Sequence, residues 1–163
     1  PIEMFNAQLS LKNPAVFLAT LGGIGWLPKA PGTWASLITL PVSFFIISLY
    51  GLIGLAVFCF IIFFVGVWAC SFYSSLTKTH DSGDCVIDEC LGQSLVILFT
   101  PIDPMLYAIA FVYFRFFDIF KPWPTKWFDQ NVKGGLGVML DDVVAAVQAS
   151  IVMALTIEVL NVF

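Results

Sequence analysis

Residues 115–142 read RFFDIFKPWPTKWFDQNVKGGLGVMLDD, and this stretch is unusually rich in charge. Only 11% of the 163 residues are charged, yet four of the seven basic and four of the eleven acidic residues lie here. Apolar sequence flanks the stretch on both sides, and an apolar environment penalises ionised groups that have no partner. We therefore expect the stretch to lie at a membrane surface, where it can hold a polar site against the lipid.

The composition of the whole chain is that of a membrane protein. Hydrophobic residues make up 60% of the sequence, with seventeen Phe and five Trp, and the mean hydropathy is +0.95. These values lie outside the range of soluble globular proteins and fit a lipid-facing surface with interfacial aromatic residues. The length predicts one domain, residues 1–163. We predict an all-α fold, an integral membrane helical bundle with short interfacial helices. A net charge of −4 argues against nucleic acid as a partner.

The first half of the chain predicts one short helix and one membrane hairpin. Asn13 is the expected N-cap of a helix that Gly22 stops, and this helix is too short to cross roughly 30 Å of hydrocarbon. Thr33 is the expected N-cap of the next helix, which Pro41 should kink. Residues 34–73 contain no charged side chain. A break at Gly51 divides this run into the two arms of a hairpin.

The second half predicts three further helices. Residues 90–100 and 105–117 are each short for a full span, so we expect a pair of short helices around the intervening prolines. A final apolar helix is expected over residues 143–163. On this topology the loops that contain Lys29, Lys78 and residues 115–133 share one face. The positive-inside rule makes that face cytoplasmic.

Two acidic pairs could carry chemistry: Asp88-Glu89 and Asp141-Asp142. Each precedes or opens an apolar helix, so each could simply complement a helix N-terminus, an effect worth about 0.3–1 kcal/mol. That explanation serves one pair better than two, because adjacent carboxylates repel each other. A divalent cation would remove the repulsion, and ligand sets made only of oxygen favour Mg²⁺. We therefore predict a magnesium site formed by these four residues.

The basic residues provide the complementary charge. Lys121, Lys126 and Lys133 lie close to the acids in sequence, and Lys29 lies in an earlier loop. They could anchor the protein at anionic head groups, or one or two of them could hold a phosphate. The helix start at Thr33 also favours an anion, because free backbone N–H groups point outward there.

Missing residues narrow the choice of enzyme class. The chain contains one Arg and one His, which excludes lipid phosphatases that need two histidines and several arginines. No cysteine precedes Arg115 at the spacing of a cysteine phosphatase loop. The single histidine, His80, lies in a polar loop and is expected to be solvated.

Three motifs resemble those of the phosphatidylglycerophosphatase A family. The longest covers residues 114–146, with Asp118, the Lys-Pro-Trp-Pro run at 121–124, Trp127-Phe128-Asp129, the glycines at 134–137 and the second acidic pair. Pro31-Gly32-Thr33 with Ser36 and Pro41 is similar to the family's first motif, and Asp88-Glu89 with Gly92 to its second. Together the motifs cover roughly half the chain, whereas residues 42–73 match only in being apolar.

The resemblance implies a Mg²⁺-dependent enzyme of the bacterial inner membrane. Such an enzyme would be multi-pass and would convert phosphatidylglycerophosphate to phosphatidylglycerol. Asp88, Glu89, Asp141 and Asp142 would then hold one or two Mg²⁺, with Asp142 essential for catalysis. Lys29, Lys121, Lys126 and Thr33 would bind phosphoryl oxygens, and Asp118 or Asp129 would be the general base or a third type of metal ligand. Either water or a carboxylate could be the nucleophile.

Two other functional classes remain open on the sequence. The acidic pairs of a cation carrier would line a path through the membrane, but residues 34–73 contain no acid and the last predicted span contains only Glu158. A non-catalytic membrane protein would bind anionic lipids through the lysines of residues 121–133. The sequence does not indicate the oligomeric state.

Overall fold

The computed structural model describes residues 9–79 and 82–160, and all regular structure in these ranges is helical. The elements are α1 (Pro14–Ala19), a 3-10 turn (Ile24–Trp26), α2 (Pro31–Thr77), α3 (Ile87–Leu98), α4 (Pro104–Phe120), α5 (Thr125–Asn131) and α6 (Gly134–Leu160). The predicted all-α class is confirmed for these residues. His80, for which we predicted a solvated position, lies outside them.

Helix α2 is a hairpin of two helical arms, residues 31–50 and residues 52–77. The chain leaves helical geometry within α2 only at Gly51, where φ is 71° and ψ is −171°, a conformation that glycine adopts without strain. A Cβ placed on Gly54 would lie 3.7 Å from Ile46, so the arms fold back on each other. At the open end of the hairpin, Nε1 of Trp26 donates a hydrogen bond of 3.1 Å to the hydroxyl of Tyr73. The predicted break and hairpin are confirmed.

Helices α2 and α6 are long and apolar enough to cross a membrane. Large apolar side chains point outward from both: Phe45, Ile53, Phe60, Phe64, Ile151 and Leu155 are all more than half exposed. A soluble protein seldom exposes so much contiguous apolar surface.

The start of α2 differs from the prediction, because Pro31 opens the helix two residues before Thr33. Ala30 occupies the N-cap position with φ of 48°, and no side chain caps the helix. The ring of Pro31 fixes φ near the helical value and removes an N–H that would have no partner there, so proline suits the first helical position. The prediction of Thr33 as N-cap is therefore wrong, since Thr33 already lies within the first turn.

The start of α6 also differs, because the helix begins at Gly134 and not at Val143. Asp141 and Asp142 consequently lie two turns inside the helix, and its first turn contains no acidic residue. Complementing the helix N-terminus therefore cannot explain this acidic pair. The same explanation remains available for Asp88 and Glu89, which do lie in the first turn of α3.

Local capping explains the shorter elements. The side chain of Asn13 accepts a 3.0 Å hydrogen bond from the backbone N–H of Ala15 and caps α1 as predicted. That helix ends at Ala19, and the N–H of Gly22 donates back to the carbonyl of Phe17 at 2.7 Å. The predicted pair of short helices is present as α3 and α4. Asp103 caps α4 by accepting a 3.0 Å hydrogen bond from the backbone N–H of Leu106. The short helix α5 is not among the predicted helices.

Helix α3 lies at the centre of the bundle, against both α2 and α6. Nine of its twelve residues are buried, which sets the position of the Asp88-Glu89 pair at its start. Gly66 of α2 packs on Met139 of α6, and Gly92 of α3 packs on the ring of Phe114. This packing gathers the end of α2, the start of α3, the end of α4 and the start of α6 at one end of the bundle.

A hydrogen-bond chain holds the loop of residues 82–86 in front of α3. The hydroxyl of Tyr73 accepts from Trp26 and donates to Oδ2 of Asp84 at 2.8 Å. The N–H of Val86 donates to the carbonyl of Ala19 at 2.9 Å. A side chain on Gly25 would overlap the carbonyl oxygen of Asp84. The segment before α2 therefore supports this loop from behind.

We predict that Tyr73→Phe destabilises the protein by roughly 1–2 kcal/mol, because it leaves Trp26 and Asp84 without their shared partner. Thermal unfolding in detergent, followed by circular dichroism, would measure the loss. Tyr50→Phe is the matched control, since Tyr50 is 72% exposed at the far end of the hairpin and should change little. Equal unfolding midpoints for the two variants would contradict a structural role for the hydrogen-bond chain through Tyr73.

Candidate functional site

The gathered helix ends enclose a polar cavity of about 230 Å³. Among the described residues, its lining contains six acidic side chains and two lysines. The acids are Asp88, Glu89, Asp118, Asp129, Asp141 and Asp142, and the lysines are Lys121 and Lys133. This imbalance of charge requires a further source of positive charge, because buried carboxylates repel each other in a low-dielectric environment.

Three of these acids form a cluster with the spacing of a metal site. Asp88, Glu89 and Asp142 can each offer one carboxylate oxygen such that all three oxygens lie within 4.8 Å of one another. The close approach of α3 and α6 makes this possible. A Cβ on Gly92 would lie 3.2 Å from the backbone carbonyl oxygen of Asp142 and would overlap the ring of Phe114. We refer to Asp88, Glu89 and Asp142 as the carboxylate trio.

The carboxylate trio contains buried oxygens that lack a hydrogen-bond partner among the described residues. They are Oδ1 of Asp88, Oε2 of Glu89 and Oδ2 of Asp142. Burial, and then the nearby charges of Glu89 and Asp142, raise the pKa of Asp88 well above the usual carboxyl range. Native proteins leave few buried polar atoms unsatisfied. Oxygens of this kind suit a hard divalent cation such as Mg²⁺, so the residues present fit the predicted metal.

Arg115 holds two of the acids in place. Its Nη1 lies 2.6 Å from Oδ2 of Asp118, one turn further along α4, and 3.9 Å from Oε1 of Glu89. Gly32 packs against Glu89 and Arg115. A Cβ at Gly32 would overlap Oε1 of Glu89 and would lie 3.3 Å from Nη1 of Arg115. The sequence reasoning assigned Arg115 no role. The available signal was that the chain's single arginine lies in an otherwise apolar helix.

Lys121 joins two further acids. Its ammonium donates to Oδ1 of Asp129 and to Oδ2 of Asp141, each at 2.6 Å. Burial alone would lower the pKa of Lys121, but these two carboxylates outweigh burial and raise it above the usual lysine value. An ammonium has three donors, so one remains after these two bonds. The structure thus places Asp141 with Lys121 and outside the carboxylate trio.

The predicted site residues divide into two groups. Seven line the cavity: Asp88, Glu89, Asp118, Lys121, Asp129, Asp141 and Asp142. Lys29, Thr33 and Lys126 are absent from its lining. Lys29 is exposed beside Trp34, and Lys126 is exposed on α5. Their assignment to phosphate binding, and that of Asp141 to metal binding, stay predictions.

Lys133 lines the cavity; it was named from the sequence among the lysines that could hold a phosphate but was left out of the final assignment. It is exposed and forms no ion pair with any other described residue. It immediately precedes Gly134, the first residue of α6, which also lines the cavity. Its position next to the glycine run was the signal in the sequence that could have identified it.

Comparison with known proteins gives a consistent result. Residues 17–157 match the family model of phosphatidylglycerophosphatase A. The chain is 36% identical to phosphatidylglycerophosphatase A of Escherichia coli over 89% of this chain and 84% of that one. The corresponding protein of Haemophilus influenzae is 37% identical over 90% of each chain. A putative phosphatidylinositol-3-phosphatase of Bacteroides thetaiotaomicron is 33% identical over 88% of this chain and 96% of its own. No solved structure matches significantly.

We predict that Gly32→Ala destabilises the fold by about 1–3 kcal/mol, because the added methyl group displaces Glu89 from Arg115. Unfolding by denaturant in detergent would measure this loss. Gly83→Ala adds the same methyl group where no atom lies within 4 Å and should be neutral. If both variants unfold at the same denaturant concentration as the parent, α2 does not pack on Glu89 as described.

Proposed function

The chain belongs to the phosphatidylglycerophosphatase A family and is a phosphatase, and from this premise we propose its substrate. We propose that it removes the terminal phosphate of phosphatidylglycerophosphate and so forms phosphatidylglycerol for phospholipid synthesis. The single observation that carries the proposal is the carboxylate trio beside two lysines in one cavity. Phosphate monoester hydrolysis needs such a pairing of metal ligands and anion-binding cations.

The carboxylate trio would hold Mg²⁺. When bound there, the cation would supply Lewis acidity that draws charge from phosphoryl oxygens and lowers the pKa of a water ligand. Support comes from the partnerless buried oxygens of Asp88, Glu89 and Asp142 and from the all-oxygen donor set. Asp141, which the sequence reasoning included in the metal site, positions Lys121 in this proposal.

Lys133 and Lys121 bind the terminal phosphate in this proposal. Lys133 is exposed at the cavity, and Lys121 retains one donor beyond its bonds to Asp129 and Asp141. The N-terminus of α6 adds to this, because Gly134 and Gly137 line the cavity and helix N-termini attract anions. Neither ammonium has to be desolvated alone, since Lys121 lies between the carboxylates of Asp129 and Asp141 and Lys133 is exposed.

Asp118 is the general base in this proposal, and Asp129 positions Lys121. Asp118 lines the cavity and its carboxyl group contacts that of Asp142, so it lies next to the carboxylate trio. Arg115 fixes its orientation through the 2.6 Å contact. From there Asp118 can accept a proton from an attacking water molecule. Water is the nucleophile because the remaining acids of the cavity are either in the carboxylate trio or held by Lys121.

The protein acts as a multi-pass protein of the bacterial inner membrane, with the cavity at the cytoplasmic face. Two helices of sufficient length and the exposed apolar side chains of α2 support membrane insertion. The basic residues Lys78, Arg115, Lys121, Lys126 and Lys133 all lie on segments at the cavity end of the bundle. The positive-inside rule assigns this end to the cytoplasm.

The substrates named for the relatives share a chemical plan. In phosphatidylglycerophosphate and in a phosphatidylinositol 3-phosphate, the head-group alcohol carries a phosphate monoester. A phosphodiester joins that alcohol to diacylglycerol. Identity is higher, at 36% and 37%, to the two phosphatidylglycerophosphatases than to the third relative, at 33%. We therefore take the glycerol compound as the substrate, and the inositol compound is the first alternative to assay.

We predict that purified protein releases phosphate from phosphatidylglycerophosphate with Mg²⁺ and that EDTA abolishes release. Asp142→Asn should lower kcat by at least roughly 100-fold, because it removes a charged oxygen from the carboxylate trio. Glu158→Gln is the control, since Glu158 is an exposed acid on the same helix.

Two outcomes would contradict the proposal. Full activity of the Asp142→Asn variant in Mg²⁺ would remove Asp142 from the metal site. An absence of phosphate release from folded protein would leave two alternatives, a cation carrier and a lipid-binding protein. Cation flux in proteoliposomes would then distinguish them, because only the carrier would produce it.

We predict that Lys133→Gln lowers kcat/KM by roughly tenfold, the loss expected for one charge-assisted contact to phosphate. Lys126→Gln should have a much smaller effect, because Lys126 is exposed on α5 and does not line the cavity. Initial rates in mixed micelles at several substrate concentrations would compare them. A larger loss for Lys126→Gln than for Lys133→Gln would instead favour Lys126 as the phosphate-binding lysine.

A further inference from the structure

A second polar groove adjoins the cavity on its α2 side. It has a volume of about 330 Å³ and is lined by Ser71, Ser74, Ser75, Lys78, Thr79 and Gly134. We refer to it as the serine groove. Gly134 lines both spaces, so the two are neighbours at the first residue of α6. None of the proposed catalytic steps uses the serine groove.

The groove is a polar face on an otherwise apolar arm. Ser71, Ser74, Ser75 and Lys78 follow the spacing i, i+3, i+4, i+7, which places them on one side of a helix. The turns just before them expose Phe60, Phe64 and Trp68. The change from apolar to polar at Ser71 marks the level at which, on the proposed membrane placement, lipid tails give way to head groups.

The packing of α6 on α2 is what brings the groove to the cavity. The N–H of Gly135 donates a 3.2 Å hydrogen bond to the hydroxyl of Ser71. A Cβ on Gly135 would overlap both Ser71 and the carbonyl oxygen of Val67. The helices can approach this closely only because the position is glycine.

The charge of the groove suits an anion. Among the residues that the structure describes, its lining contains one ammonium group and no carboxylate, in contrast to the acid-rich cavity. Lys78 forms no ion pair with any residue that the structure describes and is exposed just beyond the last turn of α2. The hydroxyl of Ser75 donates to the backbone carbonyl of Phe72 at 2.6 Å, whereas that of Ser74 forms no hydrogen bond with any described residue and is available to a ligand.

We propose that the serine groove is the subsite for the diester-linked part of the lipid head group. This inference rests on the proposed function. With the terminal phosphate between Lys121 and Lys133, the rest of the head group passes Gly134 towards the apolar surface of α2. Lys78 then binds the phosphodiester, and the hydroxyls of Ser74 and Thr79 bind the free hydroxyl of the glycerol. The groove therefore selects phosphomonoesters that carry a second phosphate over those, such as phosphatidic acid, that do not.

The test compares Lys78→Gln with the parent on two substrates, using the full chain in mixed micelles. For phosphatidylglycerophosphate, KM should rise about tenfold with kcat nearly unchanged, since a binding contact is lost and the reacting atoms are not touched. For phosphatidic acid, kcat/KM should not change. Lys78→Arg should restore KM, and Lys12→Gln is the charge-matched control because Lys12 lines neither space.

A second measurement does not depend on turnover of phosphatidic acid. Phosphatidylglycerol carries the diester but no terminal phosphate, so its inhibition constant should rise about tenfold in Lys78→Gln. An unchanged KM and inhibition constant would overturn the inference, as would equal losses on both substrates. A parent protein that does not hydrolyse phosphatidylglycerophosphate would overturn the proposed function instead, so the two failures are distinguishable.

Discussion

The gathering of six carboxyl groups, three of them buried, at one end of an apolar bundle is the constraint on which the rest of the structure depends. Each buried carboxylate loses its hydration, and an apolar surrounding repays this only through a cation or hydrogen bonds of good geometry. Three of the six acids have a cationic partner within 2.6 Å, although Oδ1 of Asp141 lacks a hydrogen-bond partner among the described residues. Arg115 holds Asp118, and Lys121 holds Asp129 and Asp141, all at 2.6 Å. The carboxylate trio is left with partnerless oxygens, and this residual charge is what makes the end of the bundle a site.

Glycine positions allow the helices to come close enough for this arrangement. Gly32 gives Glu89 and Arg115 room beside the first turn of α2, and Gly92 lets α3 approach the backbone of α6 at Asp142. Gly135 lets α6 rest on Ser71. A methyl group at any of these three positions would overlap a side chain or backbone atom of a neighbouring helix. The glycines of the motifs therefore act through packing, in addition to any turn that they permit.

The sequence was sufficient for the hairpin of α2 and for the convergence of the acids. A charge-free run long enough for two helices, with a glycine near its centre, has few alternatives to a hairpin. Scarce acids in an apolar chain must meet a counter-charge. The start of α6 could not be predicted in the same way. Its glycines have low helix propensity, and the packing on α2 that makes the helix begin at Gly134 joins residues 64 positions apart. The contact of Arg115 with Glu89 was missed for the same reason, because Glu89 lies on another helix, whereas Asp118 lies only three residues along α4.

The lysines near the acidic residues differ in where the fold places them. Lys126 lies closer in sequence to Asp129 than Lys133 does, yet α5 turns Lys126 outward, and the next turn of chain brings Lys133 to the cavity. Lys121 is partly buried and is held between two carboxylates, whereas Lys133 and Lys78 are exposed. A fixed cation can orient a phosphate at the reacting atoms, and exposed cations can receive an anionic head group and release it. On its proposed path into the cavity, the lipid phosphate therefore meets the exposed cations before the one that two carboxylates hold.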